Sequence, residues 1–154
     1  MRNKCLYLFF IGVLITSISA FSQRTEKHNS IYESYFKAEE LYSHLQFGAA
    51  KKEFRDFVNS CTNPNDPLYQ KALYYEGLSA LELYNSDAIP LLMEYNKLYP
   101  ENIHRNLISF KIGRYFFHDE TYDEAQLWFE KISASDLDSS FREEYHFKLG
   151  YCAL

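Results

Sequence analysis

The sequence predicts an all-α chain, an α-solenoid of stacked helix-turn-helix repeats. Three observations predict it. From Ser30 onward, apolar residues recur at spacings of three and four, the period of an amphipathic helix. Small residues recur over a much longer interval, at Ala38, Gly77, Gly113 and Gly150, spaced by 39, 36 and 37. A repeat of that length is the mark of stacked helical hairpins. Finally, 5 glycines and 4 prolines in 154 residues are too few for an all-β fold rich in turns.

The first 22 residues stand apart from this pattern. A short positive start, MRNK, precedes the uncharged apolar run Cys5–Ile15, and TSISAFS follows with small residues. This is the layout of a secretory signal peptide, and the run is too short for a good membrane span. Ala20 and Ser22 suit cleavage before Gln23, with cleavage after Ala20 as the other option and an uncleaved N-terminal anchor as the alternative reading. Loss of Arg2 and Lys4 takes the net charge from −5 to −7. Residues 23–29 read as a flexible linker and 30–154 as the repeat domain: three hairpins and the first helix of a fourth. An exported, periplasmic or otherwise extracytoplasmic protein, soluble after cleavage, is the expectation. Only Cys61 and Cys152 follow the leader, too few for a disulfide framework, so the core must come from packing. The two are expected to be unbonded to each other.

Seven helices are predicted, over about 31–46, 49–60, 67–84, 88–98, 102–117, 122–133 and 141–154. The first carries Ile31, Tyr35, Ala38, Leu41, Tyr42 and Leu45 on one face. Ser30/Glu33, Thr121/Glu124 and Ser140/Glu143 fit the capping box. Asp66-Pro67 supplies an N-cap with proline at the first helical position, where the missing N–H is harmless. Pro90 fits a first turn, and Pro100 separates two helices. The second helix of each pair opens with Ala50, Ala88 or Ala125. A large residue follows each alanine by four: Phe54, Leu92 and Phe129. Helices cross closely only where side chains are small, and the large residue fills the groove beside the crossing.

On these residues the chain resembles the tetratricopeptide repeat (TPR) family. The third repeat carries the likeness best, with Ile112, Gly113, Phe116, Tyr122-Asp123-Glu124-Ala125 and Phe129. The first contributes Ala38, Leu41, Ala50 and Phe54; the second Gly77, Ala88, Leu92 and Pro100; the fourth Leu149 and Gly150. The period exceeds the family's usual value of about 34, and Ser109 stands at the family's tryptophan position. The longer spacing, leader and abundant tyrosine resemble exported TPR proteins of Bacteroidota-type bacteria, some similar to envelope-assembly factors. The resemblance implies a right-handed solenoid and a concave groove, lined by the first helices, that holds a peptide or protein partner. Carried over, the groove positions are Tyr35, Tyr74, Phe110 and Phe147, one per repeat. Around them stand Tyr32, Glu39, Tyr42, Lys71, Leu78, Leu107, Arg114 and Tyr151. The same four aromatics could equally pack between helices. The basic, asparagine-rich clamp of some family members is missing.

Little in the chain suggests chemistry. No pair among His28, His44, His104, His118 and His146 has metal-ligand helical spacing. His118-Asp119-Glu120 reads as a solvated turn; Glu39-Glu40 and Glu143-Glu144 read as helix surface. A nucleophile elbow, a phosphate loop and a zinc pattern are all lacking. Trp128 reads as core. The expectation is therefore no enzyme, no metal, no cofactor and, without a basic block, no nucleic acid. Two functions fit: an exported protein–protein interaction scaffold, serving cell-envelope assembly, or the outer sensor segment of a longer transmembrane signalling protein. The apolar end YHFKLGYCAL (Tyr145–Leu154) reads as a first helix lacking its second, as in the N-terminal part of a longer repeat protein.

Overall fold

The computed structural model describes residues 31–154. The expected leader (1–22), the expected linker (23–29) and the expected Ser30 cap lie outside the described residues. Within them the chain is all-helical. Helix α1 covers 31–43. It is followed by α2 (Phe47–Ser60), α3 (Pro67–Glu82), α4 (Ala88–Leu98), α5 (Arg105–His118), α6 (Tyr122–Phe129), a 3-10 turn (Ala134–Asp136) and α7 (Ser139–Cys152). None is long and apolar enough to cross a membrane.

Three hairpin turns close in the same way. Leu45, Tyr84 and Glu120 have φ of 59°, 53° and 59°, each seven residues after Ala38, Gly77 and Gly113. Behind each, the next N–H donates back five residues: Gln46 to Leu41 O, Asn85 to Ala80 O and Thr121 to Phe116 O, at 2.9, 3.0 and 3.0 Å. Together with the shorter bond from each left-handed residue (Leu45 N to Tyr42 O and its counterparts), this is a Schellman closure, usually made by glycine. No glycine marks these turns, which explains why the predicted first and third helices overran by two or three residues.

The helix starts correct the sequence reading in part. Asp66 accepts from Leu68 N at 2.9 Å, as expected, with Pro67 beginning the helix. Thr121 makes no side-chain cap; its hydroxyl donates to Phe116 O at 3.1 Å and reinforces the turn behind it. At α7 the cap is Asp138, accepting from Ser140 N at 2.9 Å, rather than Ser140. Helix α5 starts three residues late because Asn102 Oδ1 accepts from His104 N at 3.0 Å. That local bond stabilises a turn in place of a helical start.

Packing runs between neighbours: α2 on α3, α3 on α4, α5 on α6, α6 on α7, with α3 touching α5 and α5 touching α7. The core divides into three clusters. Tyr35, Ala38, Ala50, Phe54, Phe57 and Ala72 form one. The second centres on Tyr74, Leu78, Leu92, Tyr95, Ile108 and Ile112. The third is Phe110, Ala125, Phe129, Ile132, Leu137 and Tyr145. Each joins a hairpin to the helix that follows it. The predicted small-and-large pairs meet as expected. A Cβ at Gly77 would lie 2.6 Å from Leu92 Cδ2, and one at Gly113 only 2.5 Å from the Phe129 ring, whereas Gly150 faces open space. Cys61 and Cys152 are both free.

An ionic network ties the first two hairpins. Buried Glu76 accepts from Arg55 Nε at 2.7 Å, while Asp87 accepts from Lys51 Nζ at 2.8 Å and from Arg55 Nη2 at 3.2 Å. Burial raises the Glu76 carboxyl above its ordinary value, and Arg55 only partly opposes this. A carboxyl raised on folding contributes most to stability when protonated, and that contribution is lost as pH rises through the folded value. Asp87 runs the other way: Lys51 holds it low, so its contribution is present near neutrality and lost in acid.

Five substitutions test these contacts and turns. Gly113→Ala should lose about 1 kcal/mol in urea unfolding, because overpacking against a stiff ring outweighs the gain in helix propensity. Gly77→Ala should cost less, since the Leu92 side chain can shift, and Gly150→Ala should gain about 0.5–1 kcal/mol. Glu120→Gly, at an exposed left-handed position, should stabilise by about 1 kcal/mol. Glu76→Gln should raise the melting temperature near neutral pH, with the gain shrinking towards about pH 4; calorimetry at the two pH values checks it.

Candidate functional site

The first helices of the second and third hairpins, α3 and α5, each carry one stripe of polar and aromatic residues. On α3, Lys71, Tyr74, Leu81 and Glu82 fall on one stripe; on α5, Lys111, Arg114, Tyr115 and His118 do the same. Helix α7 adds Glu144 and Lys148.

At the C-terminal ends of α3 and α5 the two stripes border a cleft of about 130 Å³, lined by Glu82, Tyr84, Lys111, Arg114, Tyr115, His118 and Lys148. Its basic groups outnumber its acids. Lys111 donates to Glu82 at 2.9 Å; Arg114 and Lys148 share Glu144 at 3.0 and 3.6 Å. The left-handed turn at Tyr84 lays its ring against those of Tyr115, at 5.6 Å, and His118, at 4.6 Å. The Lys148 ammonium sits 4.0 Å above the Phe117 ring, a cation–π contact that helps hold it in place.

Where α3 begins, its stripe borders a larger cavity of about 510 Å³, with Pro67, Lys71, Tyr74, Tyr75, Tyr95, Ile103 and His104 in its wall. Tyr74 and His104 stack at 4.2 Å with an interplanar angle of 12°. Burial pushes the His104 imidazole below its ordinary value and the Tyr74 hydroxyl above it. Both groups are therefore held neutral near pH 7, and the aromatic wall of the cavity is flanked by one charge of each sign, Lys71 and Glu101.

These positions revise the aromatic ladder. Tyr35 and Phe110 are 0% exposed and belong to the core; neither lines an open groove. Tyr35 packs on Phe54 and Phe57, and Phe110 on Phe129 and Phe141. Tyr74 is 5% exposed, yet its ring edges the larger cavity beside Lys71. Phe147 is 68% exposed. Leu78 is buried, whereas Arg114 is exposed and lines the basic cleft. Lys71, Tyr74 and Arg114 thus line openings, while Tyr35 and Phe110 take the other of the two readings, packing between helices. The sequence reading passed over Tyr84, Lys111, Tyr115 and Lys148, and assigned His118 to a plain solvated turn. The spacing of Lys111, Tyr115 and His118 from Arg114 on one helix was the signal that could have found them.

Among the described residues, no group of three or more His, Cys, Asp or Glu is placed to hold a metal ion. No family model matches the chain, and neither a curated protein nor a solved structure matches it.

Proposed function

We infer that the chain is a non-enzymatic interaction scaffold, a right-handed TPR-like solenoid that holds an extended segment of a protein partner along α3, α5 and α7. One observation carries this reading: a basic cleft and an aromatic-walled cavity lie along one stripe of α3, the first shared with α5 and α7, the second with Tyr95 of α4 and the residues just before α5. Side chains of opposite character can thus be engaged by one extended strand, an acidic group at Arg114 and Lys148, an apolar one against Tyr74 and His104. Tyr74 and Glu82 are eight residues apart on α3, roughly 12 Å at the helical rise, which an extended peptide spans in about four residues. Support for the solenoid comes from the repeated turn closure and the neighbour-to-neighbour packing. In this reading the scaffold works outside the cytoplasm, in an envelope-associated complex.

Selection of displayed twelve-residue peptides against residues 23–154 tests it. Enriched peptides should carry an acidic residue about four positions from an apolar one. Arg114→Glu should weaken them at least about tenfold, equal to about 1.4 kcal/mol, with the circular dichroism spectrum unchanged. Peptides that bind this variant as well as the wild type would sink the proposal.

A further inference from the structure

A third pocket, of about 360 Å³, lies on the other side of α5, between α4 and α6. Arg105 and Ser109, four residues apart, put it on the α5 surface facing away from Lys111, Arg114 and His118. Its wall includes Met93 and Lys97 from α4, Arg105 and Ser109 from α5, Trp128 from α6 and Lys131 just beyond it. Its charge is one-sided: three cations line it and no carboxylate does. None of the three makes an ion pair among the described residues, in contrast to Lys51, Arg55, Lys111, Arg114 and Lys148. Arg105 gives one N–H to Pro100 O at 2.7 Å, leaving donors of its fork unused. The Lys131 ammonium rests 3.5 Å from the centre of the Trp128 ring.

A hydroxyl opens into the same pocket. Ser109 is only 4% exposed and lines this pocket, and its hydroxyl has no hydrogen-bond partner among the described residues. Buried Ser79, by contrast, donates to Tyr75 O at 2.7 Å. No buried side-chain nitrogen or oxygen among the described residues lacks a partner, so the Ser109 oxygen is reached by the solvent of the pocket and is free to donate to a guest there. Its position also explains the space. Ser109 stands four residues before Gly113, and the matching residue before Gly77 is Leu73. A serine where the preceding hairpin has a leucine leaves volume open between α4 and α6.

We propose that this pocket binds a phosphoryl group, with Lys97, Arg105 and Lys131 as its cations and the Ser109 hydroxyl as a donor from its floor. A phosphate monoester carries close to two negative charges near neutral pH, a better match for three uncompensated cations than a single carboxylate. The planar Arg105 fork suits its oxygens. This site is separate from the peptide-binding face and stands or falls without it.

Trp128 is the chain's single tryptophan and lines this pocket, so its fluorescence responds to a guest there. Inorganic phosphate, titrated at constant ionic strength against chloride, should give a saturating change. Acetate should need at least about tenfold more to do the same. Calorimetry on variants should show Lys97→Gln weakening phosphate at least about tenfold, a loss of about 1.4 kcal/mol. Ser109→Leu should abolish binding. Lys97 is exposed, so its substitution tests the site even if Ser109→Leu disturbs the fold. Glycerol phosphate binding in solution would assign a soluble ester; binding only to phosphatidylcholine vesicles containing phosphatidate would assign a lipid headgroup. A linear drift matching chloride, acetate equal to phosphate, or full affinity in Lys97→Gln would overturn the assignment.

Discussion

The fold depends on how closely the two helices of a hairpin can approach. In the second and third hairpins a side chain of the second helix occupies the space where a Cβ of the first would be: Leu92 at Gly77 and Phe129 at Gly113. Each inserted residue lies one turn after a fully buried alanine, Ala88 or Ala125. The alanine brings the helices together and the larger residue locks them side by side, as ridges meet grooves. That lock also governs what comes next. Leu92 and Phe129 sit in clusters that take in Ile108 and Ile112 from α5 in one case and Tyr145 from α7 in the other. The following helix thus docks on a surface already built by the hairpin.

This part of the structure was legible in the sequence because it is a matter of volume. Alternating small and large residues at fixed separations leave few ways to pack, and Ala38, Gly77 and Gly113 are buried as expected. The turns were harder to read. Leu45, Tyr84 and Glu120 carry a left-handed backbone that glycine normally advertises, and their side chains give no hint of it. The candidate site was legible only where a residue's chemistry fixed its exposure. Arg114 could not be buried unpaired, so its outward position followed. Tyr35 and Phe110 could satisfy either a groove or a helix seam, and packing decided in favour of the seam. Ser109 was visible as a departure from the tryptophan of the repeat pattern that the sequence resembles, but the void it leaves depends on where α4 and α6 stand around it.

Net charge conceals the local electrostatics. The whole chain is acidic, at −5, yet both the cleft around Arg114 and the pocket around Arg105 are basic. They differ in compensation. On the α3–α5–α7 face, lysine and arginine are held by Glu82 and Glu144, so an incoming acid must compete with existing pairs. Such exchange costs affinity and favours reversible contacts. Between α4 and α6 no such competitor lines the pocket. Two basic regions on opposite sides of one helix thus differ in how readily they accept an anion.

The division of the core into three clusters has a kinetic meaning. The first draws on residues 35–72, the second on 74–112 and the third on 110–145. No cluster needs the two ends of the described chain to meet. The loop to be closed before any one cluster can form is therefore short, and its entropy cost is low. Topologies of this kind have low contact order and fold fast. A nucleus can start in any hairpin and grow by adding the next helix to an exposed edge, in either direction. Growth towards the C-terminus would be seeded by Phe110, which lies on α5 yet belongs to the third cluster, while Ile108 and Ile112 of the same helix belong to the second. Helix α5 is the splice through which order in one half of the chain is passed to the other.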